Sequence, residues 1–171
     1  MRRLVIGLSD AIHALARRAA ILALVIMFAT VMVQVVARYI FSAPPVWTED
    51  VARYMMVWTG LLGATLSFKT RADAVLLNSV FPARPRLLGY LAEALQSAAV
   101  VVFVGPVLYF CFIGLRGGFA KGYLARQAGL TADTLGIPMV WIAAAVPLSM
   151  AIILIHLAAR WAAMGEEPAA R

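Results

Sequence analysis

The 171-residue chain is 64% apolar and only 13% charged, with a mean hydropathy of +0.90. A water-soluble domain is roughly 45–50% apolar and about 25% charged, so this composition excludes an ordinary globule and, for want of polar side chains, a disordered chain. Fifteen Lys and Arg against eight Asp and Glu leave a formal charge of +7, which in so apolar a chain points to bilayer topology and anionic headgroups rather than nucleic acid. A single cysteine, Cys111, excludes an intrachain disulfide framework and a Cys-based metal site.

The first eighteen residues carry Leu4, Leu8, Ala11, Ile12 and Leu15 at helical spacing, while Ser9, His13 and Arg17 share another face. This pattern predicts an amphipathic helix lying on the inner leaflet, the alternative being a plain extension of the first span. A spanning helix needs about 20 mostly apolar residues. Ala19–Ala37 is such a run, with Gln34 its one strongly polar member, and the span reaches about residue 40. It is longer than the apolar region of a cleavable signal peptide, so it reads as a retained span.

Pro44-Pro45 cannot continue a helix and sets a short, stiff turn. Thr48 suits the N-cap of a second span over 48–68, and Glu49 with Asp50 places negative charge at the positive end of that helix. The loop from Lys69 to Arg86 is compact and basic, with Pro82 and Pro85. A third apolar segment, 87–115, is too long for one crossing, so the crossing is placed at Ser97–Leu115. The connection Arg116–Gly136 is Gly-rich at first, Thr134 is a candidate cap, and Pro138 suits the first turn of a fourth span over 138–161. Pro106 and Pro147 fall inside spans three and four, where neighbouring helices absorb such kinks.

The expected fold is therefore an all-α integral membrane protein, one membrane domain of four transmembrane helices behind an N-terminal amphipathic helix. Ten of the fifteen basic residues fall on the side that holds both termini, which the positive-inside rule assigns to the cytoplasm.

Arg38, Glu49, Asp50 and Arg53 form the densest charged constellation, at the opposite interface. Glu49 and Arg53 stand at i,i+4 in the favourable order, and Arg38 is in reach of Asp50 across the turn. Glu93, two turns into the third segment, is a candidate proton or cation site or else a carboxylate paired with a base such as Lys69 or Arg71; Gln34 suits a hydrogen bond between helices. Trp47, Trp141 and Trp161 lie near span ends, as interfacial anchors do. Of the two histidines, His13 and His156, the latter reads as a packing residue, and both lie towards the cytoplasmic side, which suits haem poorly. There is no phosphate-binding Gly-Lys motif, Ser-His-Asp arrangement or Cys-His metal spacing, so neither an enzyme nor a bound cofactor is expected.

An order of motifs stands out between Arg38 and Leu76: Arg38 closing the first span, Pro45 and Trp47 in the turn, Glu49-Asp50 then Ala52-Arg53 opening the second, and Trp58 followed by Leu62-Gly63. Together with Leu135-Gly136-Ile137-Pro138 through Trp141 to Pro147, this order resembles the DctQ-like small membrane subunit of tripartite ATP-independent periplasmic (TRAP) transporters. It departs after Arg71, where that family often has a His-Ile pair and this chain has Asp73-Ala74-Val75. The resemblance implies a helper in a bacterial inner membrane. A periplasmic binding protein captures an organic acid, a large membrane subunit moves it on a sodium gradient, and the small subunit widens the fixed scaffold. On that reading Arg38, Trp47, Glu49, Asp50, Arg53 and Trp58 face another subunit or a phospholipid. A membrane anchor for a redox enzyme and a stand-alone small transporter are the competing classes.

Overall fold

The computed structural model describes residues 2–70, 86–114, 117–132 and 134–164. The inner loop with Arg71 and the C-terminal tail, both read from the sequence, lie outside the described residues. Helix α1 (Arg2–Tyr39) runs unbroken for 38 residues. It contains no proline, so nothing between Arg2 and Tyr39 interrupts the hydrogen-bond ladder. At 1.5 Å per residue it is about 57 Å long, far more than the roughly 30 Å of a hydrocarbon layer. The expected separate amphipathic helix is thus corrected: residues 2–18 are a rigid extension of the first long helix, reaching beyond the thickness an apolar layer can cover. Ser9 and Ala16 on this extension are buried against the rest of the protein, whereas Leu4, Leu8 and Leu15 are exposed.

The other helices are α2 (Trp47–Thr70), α3 (Arg86–Phe112), α4 (Tyr123–Ala128), α5 (Val140–Ala143) and α6 (Ala145–Met164). Among the described residues the one β feature is an isolated bridge between Thr131 and Pro138. Among the described residues three stretches, Arg3–Tyr39, Glu93–Phe112 and Val140–Ala163, are long and apolar enough to cross a membrane. Helix α2 is 24 residues long but carries Glu49, Asp50, Arg53 and Lys69 near its ends.

Residues 40–46 join α1 to α2 in a tight reversal. The Ile40 N–H donates to Val36 O (2.9 Å), the Ala43 N–H donates to Ala37 O (3.2 Å), and Ser42 turns the chain with a φ of 54°. The two helices consequently pack antiparallel as a hairpin, and α6 lies against both. The seam is written in the sequence at intervals of seven. Ser9, Ala16, Ala23 and Thr30 are the buried positions of α1, with Ala20 between them, and small side chains let a neighbouring backbone approach closely. On α6 Ala145, Ser149, Ile152, His156 and Ala159 are buried at alternating spacings of four and three, again the heptad pattern, with Pro147 and Leu157 buried beside that line. Ala16, Ala20, Leu62 and Ile152 form the core where the three helices meet, with Ile12, Trp58 and Leu66 packed on it.

Helix α3 is more peripheral and takes its main helix packing from α6. Among the described side chains its buried residues, Ser97, Val104 and Cys111, recur once every seven residues, a single narrow line of contact. It ends at Phe112 rather than at the expected 115, and the glycines that follow fold the chain back on it. A Cβ on Gly122 would sit 2.3 Å from the Phe112 carbonyl oxygen, so only glycine fits there. The last long helix starts later than expected: Pro138 belongs to the β-bridge, and α5 and α6 are separated at Ala144. Pro147 has no N–H to offer the carbonyl of Ala143, which accounts for a break at that point.

Candidate functional site

Polar side chains gather at the two ends of the hairpin. At the turn end, Thr48 is fully buried, and its hydroxyl donates to the Pro45 carbonyl (2.6 Å). It does not cap the helix as expected, because α2 already begins at Trp47. Glu49 and Asp50 do occupy the first turn of α2. Arg53 Nη2 donates to Glu49 Oε1 at 2.8 Å and Nη1 lies 3.6 Å from Asp50 Oδ1. Asp50 also accepts a hydrogen bond from the Thr134 hydroxyl, so Thr134 is a tether between the approach to α5 and the start of α2, not a helix cap. Asp50 is only 18% exposed, against 66% for Glu49 and 58% for Arg53.

The structure does not bring Arg38 to Asp50 as expected. Asp50 is engaged by Arg53 and Thr134, while Arg38 is exposed beside Gln34, Val35 and Tyr39, where these residues line a small groove of about 220 Å³. Trp47 is exposed. Trp58 is half-buried against the Ala16, Ala20, Leu62 and Ile152 core and supports the hairpin from within.

The opposite end joins the start of α1, the end of α2, the start of α3 and the end of α6. Lys69 Nζ donates to the Ser9 carbonyl (2.9 Å) and to Asp10 Oδ1 (2.7 Å). Lys69 beside it holds the Asp10 carboxyl below the usual carboxylate range, through a hydrogen bond and charge attraction. Ser9 Oγ and His156 Nδ1 share a buried hydrogen bond of 2.8 Å, and the His13 ring stands edge-on to His156 with centroids 6.1 Å apart. His13 Nδ1 and His156 Nε2 are buried and have no hydrogen-bond partner among the described residues.

Among the described residues Glu93 pairs not with Lys69 but with Arg160 of α6, while Arg71 lies outside the described residues. Glu93 Oε1 accepts from Arg160 Nη1 at 3.2 Å, both side chains being 11% exposed. Arg160 also donates to the Phe68 carbonyl (3.0 Å) and covers the Phe68 ring at 4.6 Å, so one guanidinium joins α2, α3 and α6. Next to it, Trp161 Nε1 donates to Ser97 Oγ (2.9 Å), which itself donates to the Glu93 carbonyl (2.7 Å).

This seam shares the chain with the motif-bearing turn, and a family model described as tripartite ATP-independent periplasmic transporters, DctQ component, matches residues 27–164. The chain belongs to this family. The match takes in α2, α3 and α6 whole, together with Lys69, Glu93, His156 and Arg160, and begins beyond Ser9, Asp10 and His13. No curated protein matches the chain. A DctQ chain is a small membrane component of a TRAP transporter, a family of transporter parts and not of enzymes. Nothing in the order of family motifs pointed to the seam at the other end of this DctQ chain. The sequence clues were the heptad that places Ser9 in line with Ala16 and the His156–Arg160 pair at i,i+4, the one polar face of a strongly apolar segment.

Proposed function

We propose that this DctQ chain is the scaffold subunit of a secondary active transporter. It spans a bacterial inner membrane four times with both termini in the cytoplasm. It braces a large membrane subunit that moves an organic acid, driven by sodium and delivered by a periplasmic binding protein. Helix α2 is the fourth crossing on this reading: its charges lie near the ends, and residues 54–68 between them carry none. The observation that carries the reading is the disposition of polarity. Three groups of charged side chains are engaged with one another at the two ends, Arg53 with Glu49 and Asp50, Lys69 with Asp10, and Arg160 with Glu93. Between the ends the surface is apolar, with Leu22, Val25, Phe28 and Met32 exposed on α1 and Val101, Val102, Phe103 and Phe110 on α3. Such surfaces suit lipid and a neighbouring subunit better than a path for an anion.

The exposed turn end, with Arg38, Trp47, Glu49 and Arg53, is the surface proposed to meet the large subunit, the binding protein or phospholipid; Asp50 sets its geometry. Proteoliposomes test the whole reading. The chain alone should pass no organic acid, while the large subunit with the binding protein should take it up under an inward sodium gradient only when the chain is present. Flux through the chain alone would overturn the scaffold role. At the interface, Glu49→Lys and Arg53→Glu should each reduce copurification of the large subunit, and the double reversal should restore part of it.

A further inference from the structure

The end of the hairpin that carries Lys69 encloses a cleft of about 430 Å³. Its polar wall is Ser9, Asp10, Lys69, His156 and Arg160, and its apolar wall is Ile6, Ala159 and Ala163. That volume is within the range of small-molecule sites, and a wall divided in this way suits an amphiphile. The cleft opens where α2 ends at Thr70 and α6 ends at Met164, while α1 continues past it as one side. In a membrane-spanning bundle this is the depth of lipid headgroups.

The hydrogen-bonding capacity left over in the cleft defines the ligand. An ammonium has three N–H donors, and among the described residues Lys69 uses two, on the Ser9 carbonyl and Asp10 Oδ1. A guanidinium has five, and among the described residues Arg160 uses two, on Glu93 and the Phe68 carbonyl. Asp10 is 67% exposed and has its second carboxylate oxygen free among the described residues. The site therefore offers spare cationic donors on one side and a spare anionic acceptor on the other. A phosphate satisfies the first and a primary ammonium satisfies the second, and one headgroup carries both.

We propose that this cleft binds an aminophospholipid, with its phosphate against Lys69 and Arg160, its ammonium on Asp10, and its acyl chains leaving past Ile6, Ala159 and Ala163. A choline headgroup has the same charge but no N–H to give Asp10, so the site selects phosphatidylethanolamine over phosphatidylcholine. The proposal rests on the membrane placement of the chain and not on its part in transport.

Native mass spectrometry of the full chain, stripped of lipid in detergent, tests this. Phosphatidylethanolamine should be retained one to one with about a tenfold preference over phosphatidylcholine of the same acyl chains, the effect of a single charge-assisted hydrogen bond. Asp10→Asn should remove the preference. Ala159→Leu, which fills the apolar wall and leaves the charges alone, should lower retention of both lipids. Equal retention of the two lipids by the wild type overturns the proposal, as does a preference that survives Asp10→Asn. If Asp10→Asn does not fold, undiminished retention by folded Ala159→Leu overturns it. Displacement of the lipid by equimolar glycerophosphoethanolamine would assign the site to a soluble phosphoamine instead and overturn the lipid. A chain that still copurifies with its large subunit while showing no lipid preference refutes this site and leaves the scaffold reading standing.

Discussion

Glu93 Oε1 and Arg160 Nη1 meet at 3.2 Å with only 11% of either side chain exposed, and their ion pair ties the peripheral helix α3 to α6. Breaking a buried pair by removing one partner takes from the remaining charge the attraction that offset its desolvation. Glu93→Gln and Arg160→Gln should each lower the free energy of unfolding by about 3 kcal/mol, the low end of the range for buried pairs. The double variant should lose less than the sum of the two. Arg160→Lys should not rescue the site, because an ammonium cannot bridge Glu93 and the Phe68 carbonyl with the spread of a guanidinium. Denaturant unfolding in detergent, run as a double-mutant cycle, measures all four.

Ser9 and His156 are 2% and 3% exposed and form a hydrogen bond across 147 positions of sequence. Ser9→Ala strips His156 of its one partner at Nδ1 and should cost about 1–3 kcal/mol, the desolvation of a buried polar group left unmet. Ser9→Ala combined with His156→Leu removes both polar atoms and should recover most of that loss. Thermal unfolding of the two variants side by side decides the point.

The long helices were legible because apolar runs report themselves without partners. Ala19–Ala37 is apolar apart from Thr30 and Gln34, and the Pro44-Pro45 turn between two such runs admits few geometries. The Arg53 bond to Glu49 was legible for a similar reason, since spacing within one helix fixes who meets whom. Partners on different helices were not. Glu93 meets Arg160 because of the rotation and register of the packed helices, which depend on small residues every seventh position, and Asp50 meets Thr134 because the turn before α5 folds over the start of α2. The N-terminal extension differs for a related reason: its Leu4, Leu8 and Leu15 stripe suits a membrane surface, but the adjoining face, with Ser9, Ile12 and Ala16, is the one that packs on the protein.

Asp10 gives a pH signature. Its carboxyl lies below its ordinary value of 3.8, chiefly because Lys69 donates to it, so the pair stabilises the fold above that value and is lost as pH falls through the lower, folded one. The bond between α1 and α2 should therefore persist unchanged from neutrality through mild acidity. Carboxyl NMR titration of the full chain should show an Asp10 midpoint below 3.8, and Lys69→Met should move it upward. A wild-type midpoint at or above the ordinary value would show that Lys69 and Asp10 do not pair in solution.

Asp50 and Glu49 are adjacent carboxylates that both face Arg53, yet their surroundings separate them. Glu49 is 66% exposed and meets Arg53 in a solvated i,i+4 pair, which is worth roughly 0.3–0.5 kcal/mol. Asp50, 18% exposed, also accepts the Thr134 hydroxyl and so anchors the bridged segment around Thr131 and Pro138 to the start of α2. Glu49→Ala should barely change stability. Asp50→Ala should cost about 1–2 kcal/mol and Thr134→Val a similar amount, each by losing one hydrogen bond to a charged group. Because both remove the same tether, the double variant should cost little more than either single change. Limited proteolysis within residues 130–139 gives a second readout: cleavage should accelerate several-fold in Asp50→Ala and Thr134→Val and stay at the wild-type rate in Glu49→Ala. Equal protection in all three would show that the segment is held down by its own backbone bonds, such as Ala132 N–H to Ile137 O at 2.9 Å, and not by Asp50.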